Sequence, residues 1–128
     1  MKKKDWLYWL LVLIAASTLL TGAVQTIAPA FILHLLSAET TPTSRHFFAI
    51  VGMFMVLFGG ATLHALFSVK HHPVVILWSS FQKFGASVAV ALGVQRGVFA
   101  SLALAVAIID FLSGVLALWY WNRIRREG

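Results

Sequence analysis

Cysteine is absent from the 128 residues. Its absence removes disulfides, thiolate-held metals, iron–sulfur clusters and dithiol redox chemistry together. Charge is scarce as well: 11% of residues are Asp, Glu, Lys or Arg, against about 25% in a soluble domain. The motifs of hydrolysis and phosphoryl transfer are missing too. There is no carboxylate pair, no phosphate-cradling glycine loop, and no serine with a His/Asp partner at a common depth. No catalytic residue is assigned and no cofactor is implied.

What is present is apolar. Hydrophobic residues make up 60% of the chain and the mean hydropathy is +0.89, which places it in the membrane class. The net charge of +6 would suggest nucleic acid in a soluble protein. Here the basic residues flank apolar runs, so topology accounts for them and nucleic acid is not an expected partner.

Four runs are long enough to cross a hydrocarbon core of about 30 Å. They cover about residues 6–27, 46–69, 74–94 and 98–121, with Pro29 opening a short kinked outer segment over 29–37. The first could be read as a signal peptide, from its Lys-rich head and Thr21-Gly22-Ala23. The aromatic belt Trp6, Tyr8 and Trp9 and the length of the run favour a retained helix. Short connections between the four predict an all-α, antiparallel four-helix membrane bundle forming a single domain over 1–128. Placing both termini in the cytoplasm puts Lys2, Lys3, Lys4, Lys70, Arg123, Arg125 and Arg126 inside and only Arg45 and Arg96 outside. By the positive-inside rule the expected setting is a bacterial cytoplasmic (inner) membrane, N-in and C-in. The expected partners are the lipid bilayer and either further copies of the chain or another membrane subunit.

Two charges fall inside spans, Lys83 in the third and Asp110 in the fourth. Each alone costs about 2.5–3.5 kcal/mol on insertion scales. Residues equidistant from the centre of a hairpin turn lie at one depth. With that turn near residue 96, the two are level, roughly 15 Å from the inner helix ends at 1.5 Å per residue. They are expected to pair. Gly59 and Gly60 on the second span fall near the same level and leave room for the pair or for close helix approach. Thr18, Thr21 and Gln25 follow i, i+3, i+7 on the first span, and Ser80, Lys83 and Ser87 do so on the third. The fourth span carries a small-residue seam of Ala103, Ala107, Gly114 and Ala117 with Asp110 in its middle.

Two readings of the pair stand side by side. In one it fixes helix register. In the other, Lys83 and Asp110 join Thr18, Thr21, Gln25, Ser80 and Ser87 around a polar cavity for a proton, ion or small ligand. The histidines do not converge: His34 and His46 lie toward the outer surface, and His64, His71 and His72 toward the inner one. They are read as interfacial, with no metal site.

The chain resembles small bacterial inner-membrane proteins of the DoxX-like kind and their uncharacterised four-span relatives. The likeness is carried by Pro29, by GMFMVLFGG (Gly52–Gly60), by the lysine of FQKFG (Phe81–Gly85) and by IDFLSG (Ile109–Gly114). The resemblance implies a four-span membrane fold and, from some members, a quinone-linked accessory role. No catalytic residue carries over. The first span holds no glutamate, unlike that of small multidrug transporters, and the charge bias disfavours dual topology. The function expected is an accessory subunit or a small-solute or proton-handling protein. A purely structural assembly protein and a quinone-linked redox subunit are the alternatives.

Overall fold

The computed structural model describes residues 3–127; Met1, Lys2 and Gly128, and with Lys2 one of the basic residues of the N-terminal head, lie outside them. The described chain is helical: α1 (Trp6–Ile27), α2 (Pro29–Leu35), α3 (Pro42–Phe67), α4 (Pro73–Gln95) and α5 (Ala103–Glu127). All but α2 are long and apolar enough to cross a membrane.

Local chemistry sets most of the helix limits. Asp5 caps α1 by accepting from the Tyr8 backbone N–H at 3.2 Å. Pro29 ends α1 and opens α2, since it cannot donate to the preceding turn but suits a first helical position. The span expected from residue 46 begins earlier, at Pro42, because Thr41 and Ser44 form a reciprocal capping box around it. The last span starts later than residue 98 and runs beyond 121. Gly97 takes φ +74°, and the Val98 and Phe99 N–H groups both fold back to the Gly93 carbonyl, so 98–102 forms a turn. The Phe99 ring then occupies the space beside Gly93, where a Cβ would sit 2.6 Å from it. The Ala100 N–H donates to the Leu36 carbonyl at 2.8 Å, which ties this turn to the end of α2.

The helices associate chiefly as two pairs, α1 with α3 and α4 with α5. In the first pair the backbones touch. A Cβ on Gly52 would lie 2.8 Å from the Gly22 carbonyl oxygen, and one on Gly59 would lie 2.8 Å from the Ala15 carbonyl oxygen. The two contacts run in opposite chain directions. In the second pair, contacts at Ser80–Gly114 and Ser87–Ala107 do the same.

The two pairs join most tightly at the end where the termini lie. Leu7, Tyr8, Leu11, Leu66, Ile76, Tyr120 and Ile124 are all 3% exposed or less there and form one cluster. The Tyr8 hydroxyl donates to the Leu66 carbonyl at 2.8 Å. Arg123 clasps Asp5 with two hydrogen bonds, at 2.7 and 3.1 Å, and Trp6 meets Trp119 edge to face at 5.6 Å. The hydrogen bonds from Arg123 hold the Asp5 carboxyl at about 2, below its ordinary 3.8. The chain ends are thereby held together, and α5 is continued to Glu127, which pairs with His71 at 3.0 Å.

Candidate functional site

Lys83 extends from mid-α4 and Asp110 from the facing turn of α5, with Lys83 Nζ 3.7 Å from Asp110 Oδ1. The side chains are 13% and 17% exposed. The register follows from the serines on either side. Ser80 donates to the Gly114 carbonyl and Ser87 to the Ala107 carbonyl, each at 2.7 Å. Gly114 also admits the Phe84 ring, which a Cβ there would approach to 2.9 Å. These bonds flank the charged pair, so α5 cannot slide past α4 without breaking them.

The ammonium finds its closest partner on a third helix. Lys83 Nζ donates to Thr18 Oγ1 at 2.5 Å, and the Thr18 hydroxyl donates to the Ile14 carbonyl at 2.9 Å. Thr18 spends its proton on its own helix, which turns a lone pair toward Lys83. The group therefore draws on α1, α4 and α5.

Next to it lies a cavity of about 20 Å³. One water molecule needs at least about 10–15 Å³, so the space has room for one and for little else. Its polar wall consists of Thr18, Thr62, Ser79, Gln82, Lys83 and Ser113. Thr62 and Ser79 hydrogen-bond to each other across α3 and α4. A second, more open recess of about 180 Å³ lies by the α3–α4 turn, lined by His64, Ser68 and His72 among apolar residues.

Not every polar residue expected at one interior arrives there. Thr18, Lys83 and Asp110 meet. Ser80 and Ser87 face α5 but are spent on its backbone. Gln25 is buried two turns from Thr18 and donates to the Phe48 carbonyl of α3 at 3.0 Å. Thr21 is exposed. At 100° per residue it sits about 60° from Thr18, whereas Gly22 and Gln25 fall within about 40° of it. The α1 stripe that is buried therefore runs Ala15, Thr18, Gly22, Gln25 and bypasses Thr21. The glycines divide as well. Gly59 is pressed against α1 and also lines the cavity, while Gly60 has only the Leu19 Cδ1 atom at 3.8 Å from an added Cβ.

Thr62, Ser79, Gln82 and Ser113 were absent from the sequence-based set. Ser79 lies at i−4 from Lys83, and Ser113 at i+3 from Asp110, so helical spacing could have found both. Thr62 and Gln82 needed the placement of α3. In comparisons with protein-family models, curated proteins and solved structures, nothing matches this chain.

Proposed function

We propose that the chain is a multi-pass protein of a bacterial cytoplasmic membrane, an antiparallel four-helix bundle with both termini inside. Within it, Lys83 and Asp110 form a proton-handling site in an accessory subunit. The topology is supported by the joined chain ends and by the basic residues gathered there, Lys3, Lys4, Lys70, Arg123, Arg125 and Arg126. Reporters fused after Lys70 and after Arg126 should be cytoplasmic, and one after Thr41 should be external; reversed labelling rejects this orientation.

The size of the cavity carries the functional reading. About 20 Å³ beside an ion pair admits water, whereas small-molecule sites occupy about 300 Å³ or more. The ligand class therefore narrows from small solutes to protons and water. Asp110 accepts no direct hydrogen bond among the described residues, its lysine partner standing 3.7 Å away, so a proton can join the carboxylate without breaking one. The test is infrared spectroscopy of the purified protein in bilayers. A protonated-carboxyl band should appear and vanish with pH in the folded protein, and Asp110→Asn should lack it. A pair that stays ionised throughout the folded range would sink the proposal.

A purely structural role is the second reading, favoured by the Ser80 and Ser87 bonds that fix register around the pair. It predicts that the charge-free swap Lys83→Met with Asp110→Leu keeps the fold and its thermal stability together. A quinone-linked role, which the DoxX-like resemblance suggests, needs a quinone site elsewhere than this cavity. Lipid extraction of the purified protein tests it, and quinone-free preparations reject it.

A further inference from the structure

The cavity beside Lys83 has largely apolar walls and a few polar groups, whose hydrogen-bonding capacity the protein leaves partly unused. The ammonium carries three N–H donors. Thr18 takes one, and Asp110, at 3.7 Å, lies beyond the roughly 3.2 Å reach of a direct N–H···O bond. Ser113 is 5% exposed, lines the cavity, and has no hydrogen-bond partner among the described residues. Helical hydroxyls at this depth commonly bond back to the carbonyl four residues earlier, as Thr18 does to Ile14 and Thr62 to Phe58. Ser113 does not. Gln82, on the α4 wall, likewise has an amide without a partner among the described residues. Three polar groups with hydrogen-bonding capacity to spare, Ser113 buried and Lys83 and Gln82 partly so, thus border a space with room for one water.

We propose that this cavity is a binding site for a single water molecule, held by Lys83 Nζ, Ser113 Oγ and the side-chain amide of Gln82. A hydroxyl as buried as that of Ser113 gains from a partner, and a water with two to four polar neighbours serves it together with the spare donors of Lys83 and Gln82. The size excludes larger ligands, and Lys83, Gln82 and Ser113 supply the two to four polar partners that a wholly apolar void lacks. Thr62 and Ser79 already satisfy each other and serve as the wall rather than as ligands. Asp110 is not on the lining, so the water hydrates the pair through the ammonium. The proposal rests on Lys83–Asp110 being a working site and names the molecule that serves it.

The experiment is water-edited solid-state NMR of the ¹⁵N-lysine-labelled full chain in phospholipid bilayers. Magnetisation from water should reach the Lys83 Nζ signal in the native protein. Ser113→Val fills the cavity with methyl groups and should lower that transfer to the level of buried backbone amides. The Lys83–Asp110 proximity signal should persist in this variant. Should Ser113→Val fail to fold, Gln82→Leu removes a different ligand and should lower the transfer in the same direction. A Lys83 signal that receives no water magnetisation in the native protein overturns the site, as does transfer undiminished in a folded variant. Either result leaves the infrared titration of Asp110 to decide the proton-handling reading independently.

Discussion

The two helix pairs solve one packing problem in different ways. Between α1 and α3, Gly22, Gly52 and Gly59 let the backbones touch, and three side chains add hydrogen bonds to carbonyls of α3: Tyr8 to Leu66, Gln25 to Phe48, and Thr26 to Ala49 at 3.5 Å. Between α4 and α5, the Phe84 ring lies on Gly114, two serines bind facing carbonyls, and an ion pair sits between them. In lipid there is little hydrophobic drive between helices, so association depends on close packing or interhelical hydrogen bonds. The first pair adds its hydrogen bonds to direct backbone contact, whereas the second, where a ring and not a backbone lies on Gly114, depends on its hydrogen bonds and ion pair. Where backbones already touch, no volume is left for a long charged side chain. The polar site therefore belongs to the looser pair and takes only Thr18 from the tighter one.

The contrast can be broken first at its glycines. Gly52→Leu forces side-chain atoms into the Gly22 carbonyl and the Thr26 backbone, and should cost about 3 kcal/mol, the upper end for overpacking. Unfolding in mixed detergent, followed by circular dichroism, would measure it. The equivalent change at Gly60, which has open space, should cost far less; equal costs would end the distinction between the two faces of α3.

A smaller effect is expected in the second pair. Ser80→Ala removes one hydroxyl bond to the Gly114 carbonyl and should cost about 1 kcal/mol, with the helix register preserved by Ser87. The same unfolding assay applies, and a loss as large as that of Gly52→Leu would show that the hydroxyls dominate after all.

The smallest effect concerns the clasp that joins the pairs. The Asp5 carboxyl is held at about 2 in the folded chain by Arg123, against 3.8 when free. A depressed carboxylate stabilises the fold above the free value, and that contribution is lost as pH falls from about 3.8 toward about 2. Asp5→Asn should flatten the acid limb of the stability profile in this window and lower the neutral-pH plateau without changing its slope. A native-like acid limb in the variant would remove the clasp from the account.

Much of the layout was legible along the chain. Apolar run length marks the four long helices, and Pro29, Pro42 and Pro73 each stand at a helix start. The level placement of Lys83 and Asp110 follows from helical rise counted from a turn, although that turn is longer than expected. It survives because residues 98–102 fold back on Gly93 and keep Ala107 opposite Ser87. Thr21 shows the limit of spacing by itself: it shares a broad face with Thr18 and Gln25, yet the buried stripe passes beside it.

The sequence alone determined that four long apolar segments are helical and which residues share a depth, because these depend on local propensity and on a fixed rise per residue. The helix starts at Pro42 and Ala103 differ from the expected ones. Tertiary structure decided which side of each helix faces its neighbours. In a membrane protein the lipid-facing side is as apolar as the interior, so periodicity within one helix only weakly marks the buried face. The close approach at Gly22, Gly52 and Gly59 sets the rotation of α1 against α3. That rotation brings Thr18 to Lys83, leaves Thr21 outside, and encloses with Gln82 and Ser113 a space for one water.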